Sequence, residues 1–207
     1  MSTFIDEIIA DIDWRVSELA SLKTIPIQYS FNSDHRKQHT KFAVPAVYSI
    51  WEGFVKTSLS IYVNHLSRLN LKRTDISINL LTHYIDTCCN LNNPRTNFES
   101  KRKVVESLDK LFINTITLTP DIPTESNVNY KVLTSILNRF CVACVDTKYE
   151  KGLNRLLQFR NTIAHGENAI RVEEKDLIEF IKLVEDLMTD IVINIEDSER
   201  KQTYKKI

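Results

Sequence analysis

The stretch "LLQFRNTIAHGEN", residues 156–168, decides how the rest of the chain is read. On a helical wheel at ~100° per residue, Leu153, Leu156, Leu157, Ile163 and Ala164 fall within one broad apolar arc. That spacing predicts an amphipathic helix over 147–165, and Gly166 supplies a stop. Arg160 lands near the centre of the arc, whereas Arg155 and Thr162 point the other way. Asn154, Gln158, Asn161 and His165 form a polar strip along one edge. Arg160 and His165 diverge by about 140°, while Asn161 and His165, four apart, share a side.

A guanidinium stays charged at any ordinary pH, so a buried one needs a carboxylate or an anion to receive. The carboxylate on offer is in "AVYSIWEGFVKTSLSIYV" (46–63), where Tyr48, Trp51, Val55, Leu59 and Tyr62, with Val44 just before them, make the apolar face. Glu52 sits just off its middle. An acid and a base both out of place predict a Glu52–Arg160 ion pair. The same residues admit a structural reading, in which the pair fixes helix register and His165–Gly166 is an ordinary helix C-terminus. That reading leaves Asn161, a poor mid-helix residue, without a purpose.

Outward from this segment, helical periodicity dominates and no convincing strand is found. "STFIDEIIADIDWRVSELASLK" opens with a Ser/Thr cap and places Phe4, Ile5, Ile8, Ile9, Ile12, Val16 and Leu19 on one side. A long helix is expected over 42–69, with Pro45 in its first turn or at a kink. Segments 75–90 and 96–116 read as amphipathic, "TLTPDIPTESNVN" (117–129) as a polar connector, and 129–144 and 173–195 as helices. The end of the chain, "EDSERKQTYKKI" (196–207), is polar and expected to fray. The expectation is one all-α domain over 1–198, helices packed up and down, with a variable helical insert at about 71–120 and a polar tail at 199–207.

Composition narrows the function classes. In 207 residues, only three glycines and five prolines suit long helices. Lys+Arg and Asp+Glu both total 27, so no global basic field attracts nucleic acid, and RNA binding must use local patches. The candidates are "HRKQHTK" (35–41), "RLNLKR" (68–73) and "KRK" (101–103), each also readable as a solvated helix face. No apolar run approaches the roughly 18 residues of a membrane span, and the acidic start of the chain does not read as a signal peptide. Cys88, Cys89, Cys141 and Cys144 fit reduced thiols in a cytoplasmic protein, and are expected to be buried and structural. The lone C-x-x-C of "CVAC" lacks a second pair at zinc spacing, so neither a metal nor a cofactor is expected.

"RNTIAH" has the form R-N-x-x-x-H and resembles the signature of HEPN domains, an all-α family. The leucines before it and "AHGE" after it sharpen the likeness. "VYSIWEGFVKTSLSIYV" and "ESNVNYKVLTSIL" look like the matching upstream helices of a stand-alone prokaryotic HEPN subgroup. The resemblance covers about 40–66 and 125–195 and is thin over 71–120. It implies a HEPN-like bundle and a metal-independent endoribonuclease acting as a homodimer, with two signatures facing across a groove. On that view His165 moves protons near neutral pH, and Arg160 neutralises charge on the phosphorane. Asn161 orients the imidazole or a phosphate, and Glu52 holds Arg160. The expected role is that of a toxin or phage-defence effector cleaving tRNA or mRNA, with an antitoxin or defence-system partner. The competing readings are a non-catalytic HEPN module that dimerises as a scaffold or nucleotide sensor, and a purely structural bundle.

Overall fold

A computed structural model describes residues 3–89, 98–111, 115–166 and 170–206. Among them are seven helices: α1 (Phe4–Gln28), α2 (Ser33–Arg68), α3 (Ile78–Cys89), α4 (Phe98–Leu111), α5 (Tyr130–Arg139), α6 (Glu150–Ala164) and α7 (Glu174–Lys201). The described residues hold no strand, only an isolated antiparallel bridge between Ile76 and Lys205. The all-α expectation is met. No helix among them is long and apolar enough to cross a membrane.

Helix α1 starts at a capping box, in which Thr3 and Asp6 each accept the other's backbone N–H. Its last turn contains Pro26, which has no N–H to give the carbonyl of Leu22. His39 Nε2 of α2 donates to that carbonyl instead, at 2.8 Å, so the proline's missing bond becomes an interhelix contact. Helix α2 begins nine residues earlier than the periodicity predicts. Asn32 Oδ1 caps it by accepting from Asp34 and His35, which places "HRKQHTK" inside the helix and leaves Pro45 well within it.

Paired contacts give the helix directions. Arg15 meets Ile50 and Phe4 meets His65, so α1 and α2 are antiparallel. Thr40 shares a cleft with Leu177 and Tyr62 bonds Ser198, so α2 and α7 run parallel. Tyr149 bonds Asp190, Gly152 faces Leu183, and Arg155 bonds Glu179, so α6 is antiparallel to α7 and to α2. The result is an up-and-down bundle of α1, α2, α6 and α7, with α3, α4 and α5 inserted between its second and third members. The core is centred on α2, whose Tyr48, Trp51, Phe54 and Tyr62 are fully buried.

Four local expectations are corrected. On α1 the buried stripe runs through Ile8, Arg15 and Leu19, while Ile9 and Val16 are exposed. Helix α5 stops at Arg139, because Cys141 adopts a left-handed φ of 60° and Val142 N–H turns back to Leu137. The thiols of Cys88 and Cys144 are exposed and that of Cys141 is half-buried, so these three are not core thiols. The Cys89 side chain lies outside the described residues. Finally, the tail does not fray. Helix α7 continues to Lys201, Gln202 turns the chain in a left-handed conformation, and Tyr204 is buried. Backbone bonds from Ser77 N–H to Tyr204 O and from Lys206 N–H to Asp75 O pin it to the start of the insert.

Candidate functional site

Helix α6 is entered through a 3-10 turn, Thr147–Tyr149, capped by Asp146 Oδ1 on Lys148 N–H. It ends at Ala164 with His165 as its cap, His165 N–H bonding Asn161 O at 3.0 Å. Gly166 follows at φ +73° and returns its N–H to Ile163 O at 3.1 Å. A side chain would have open space at this position, so backbone conformation alone is what suits it to glycine. The turn leaves His165 exposed at the end of the helix.

Arg160 lies half-buried one and a half turns earlier. Its Cζ sits 4.8 Å from the centroid of the Tyr48 ring, and its Nη1 donates to Asn161 Oδ1 at 2.7 Å. The predicted ion pair with Glu52 is not made: among the described residues, no carboxylate stands within 4.0 Å of the Arg160 guanidinium. The reason is positional. Tyr48 precedes Glu52 by four residues on the same face of α2, and its ring occupies the place beneath the guanidinium. Glu52 is half-buried close enough for its charge to be felt by the same phenol.

Tyr48 is held firmly. Its hydroxyl oxygen accepts from Val128 N–H at 2.6 Å, and Trp51 Nε1–H donates to Val128 O at 3.0 Å. One connector peptide is thus clamped by two α2 side chains. Burial, reinforced by Glu52, pushes the Tyr48 phenol up to about 12, against the opposing effects of the Val128 bond and Arg160. At neutral pH the ring under Arg160 is therefore an uncharged phenol. Among the described residues the guanidinium has this ring and the Asn161 amide as its neighbours, not a carboxylate. An aromatic face stabilises a guanidinium while leaving its field available to an anion.

The α6–α7 clamp and the buried α1 arginine were not legible beforehand. Arg155, predicted to face away from the arc, bonds Asp176 and reaches Glu179 at 3.0 Å, with its Cζ over Phe159 and Phe180. Among the described residues, Arg15 is the arginine that is buried. It bonds Asp11 at 2.7 Å, Ile50 O at 2.9 Å and Thr57 Oγ1 at 3.3 Å. Gly53 leaves room for it: a Cβ there would sit 2.8 Å from Arg15 Nη1, so the guanidinium would have to shift. A glycine in the middle of a long helix is the signal that could have revealed it.

The structure therefore brings Arg160 and Asn161 into contact and sets His165 at the open end of the same helix. Glu52 stays near but unpaired with them. No three His, Cys, Asp or Glu side chains among the described residues gather at metal-holding distance. What remains is a half-buried guanidinium held by Tyr48 and Asn161, and an exposed histidine one and a half turns further along the same helix, residue types suited to binding an anion and moving a proton. Comparison with curated proteins and comparison with solved structures each found no match. The HEPN_MAE_28990-like HEPN family model matches residues 4–204, the insert included. With the all-α bundle and R-N-x-x-x-H on α6 in place, the chain belongs to the HEPN family.

Proposed function

We propose that this HEPN protein is a metal-independent endoribonuclease cleaving RNA, either tRNA or mRNA, and acting as a toxin or phage-defence effector. The observation that carries the reading is Arg160, without a carboxylate partner among the described residues, on the same helix end as exposed His165. In the reaction His165 removes the proton of a ribose 2′-OH, and the 2′-oxygen attacks the adjacent phosphorus. Arg160 neutralises the charge that builds on the phosphorane. The P–O5′ bond breaks, and an imidazolium returns a proton to the leaving 5′-oxygen. The products are a 2′,3′-cyclic phosphate and a 5′-OH. One histidine per chain does not serve readily as both base and acid, so a two-fold homodimer, each copy giving one His165, fits the chemistry. Asn161 fixes the guanidinium, a role more direct than orienting the imidazole.

The test is cleavage of cellular RNA by the purified protein with and without EDTA. Wild type should cut in EDTA, and Arg160→Ala and His165→Ala should each lose on the order of a hundredfold in rate with helical content intact. Activity that EDTA abolishes and magnesium restores would refute metal independence. The second reading, a non-catalytic dimerising module with a scaffold or nucleotide-binding role, is favoured by Arg160's internal contacts with Tyr48 and Asn161. It predicts no cleavage by the wild type and a fold that tolerates His165→Ala. An antitoxin or defence-system protein is the partner either reading would need for control.

A further inference from the structure

Helices α2 and α6 are antiparallel, so α6 ends on the side where α2 starts. Arg160 lies over Tyr48, His165 closes the helix, and Ile170, Arg171 and Val172 come to rest beside Lys37 and Lys41. Among the described residues these five line one open groove of about 310 Å³, with three cations and no carboxylate in that lining. At ~100° per residue, Lys37, Lys41 and Tyr48 share one stripe of α2. By helical rise Lys41 is about 10 Å, and Lys37 about 16 Å, from the level of Tyr48 and Arg160. Lys37 has only a loose, exposed contact with Asp34, 3.6 Å away. Among the described residues neither Lys41 nor Arg171 has a carboxylate within salt-bridge distance. In a chain of zero net charge, this local surplus lies along α2 on the side toward which α6 ends.

We propose that Lys37, Lys41 and Arg171 form a phosphate track. It leads the sugar–phosphate backbone of single-stranded RNA along the α2–α6 seam into the Arg160–His165 site. This rests on the ribonuclease reading above and adds the residues that hold the strand beyond the scissile linkage. The spacing is that of successive contacts along an extended strand, and the cations carry no base-reading geometry, so the track binds without regard to sequence. Ile170 and Val172 give the groove an apolar wall for sugar or base faces. A single strand is the matching form, since attack by the 2′-OH in line with the leaving 5′-oxygen requires a linkage released from helical geometry.

The test measures binding apart from cleavage. In a His165→Ala parent, anisotropy of a short fluorescein-labelled single-stranded RNA is followed over a salt series. Lys37→Glu/Lys41→Glu/Arg171→Glu should weaken binding about tenfold or more at fixed salt. The slope of log affinity on log salt should flatten by about two, at roughly 0.7 per lost phosphate contact. The milder Lys37→Gln/Lys41→Gln/Arg171→Gln set guards against misfolding and should flatten the slope equally, with unchanged circular dichroism. Lys205→Glu/Lys206→Glu, at the opposite end of the bundle, should leave affinity within about twofold. Parent-like binding by both track variants, no binding by the parent, or loss confined to the Lys205/Lys206 variant would each overturn the track. A wild type that binds through these residues yet never cuts would refute the ribonuclease reading and leave the track standing.

Discussion

The Arg160 guanidinium is held by the Tyr48 ring at 4.8 Å and the Asn161 amide oxygen at 2.7 Å, with no carboxylate among the described residues in contact. This reverses the expected energetics of Glu52. A buried ion pair broken from one side costs roughly 3–5 kcal/mol, but a half-buried carboxylate without that partner should cost under about 1 kcal/mol when removed. Tyr48→Leu removes the ring and the acceptor for Val128 N–H, leaving a buried donor unsatisfied, and should cost about 2–4 kcal/mol. Urea denaturation of Glu52→Ala and Tyr48→Leu ranks the two. A Glu52→Ala loss equal to that of Tyr48→Leu would restore the ion pair as the organising contact.

That substitution of a ring for a carboxylate marks the limit of what periodicity reveals. A wheel gives the angle of Arg160 on its own helix, and so correctly separates it from His165 and Arg155. It says nothing of which α2 residue stands opposite, and Tyr48 and Glu52 lie only about 40° apart. The up-and-down packing of helices was legible because the long segments repeat their apolar residues over several turns. The tail was not, because its anchor is one residue, Tyr204, in a polar run with no period. The end of α5 was hidden for a similar reason, since Cys141 takes a left-handed conformation without glycine to announce it.

The buried arginine on α1 makes its own prediction. Arg15 is 6% exposed, and Asp11 supplies its only charged partner among the described residues. Asp11→Ala should strand the guanidinium and cost about 3–5 kcal/mol. Arg15→Met, which replaces charge by an apolar chain of similar reach, should cost much less. Gly53→Ala would also destabilise, because its new methyl group overlaps Arg15 Nη1. Melting temperatures of these three variants check the order. If Asp11→Ala is tolerated as well as Arg15→Met, the pair carries no structural role.

His83 sets a pH dependence. It is fully buried against Phe140, with Nε2–H donating to Thr119 O at 2.8 Å and Nδ1 turned toward Arg139, 3.5 Å away. Burial, assisted by the Arg139 charge, lowers its affinity for a proton below the ordinary 6.5. The unfolded chain therefore takes up a proton at this site before the folded one does. Its contribution is fully present above about pH 6.5 and declines as pH falls below that value toward the lower folded pKa. The stability of His83→Gln, which keeps a donor for Thr119 O, should decline less between pH 7.5 and pH 5 than that of wild type. Parallel urea titrations at several pH values measure the difference. Identical slopes would mean that the imidazole protonates equally in both states.

Tyr204 tests whether the C-terminal segment belongs to the fold. It is 2% exposed, and its carbonyl accepts Ser77 N–H at 2.8 Å, next to the Ile76–Lys205 bridge. The preceding turn is held by Ser198 Oγ and Thr203 Oγ1, both donating to Cys141 O, so the tail ties α7 to the start of α3 and the end of α5. Removing a buried aromatic of this size should cost about 3 kcal/mol or more through lost burial and the cavity left behind. Tyr204→Ala should also raise amide exchange at Ser77, because the unanchored segment opens more often and takes its backbone carbonyl with it, while amides in the middle of α2 keep their relative protection. Tyr204→Phe, which retains the ring, should recover most of both effects. Exchange at Ser77 that is already fast in the wild type would return the segment to the fraying tail its composition suggests.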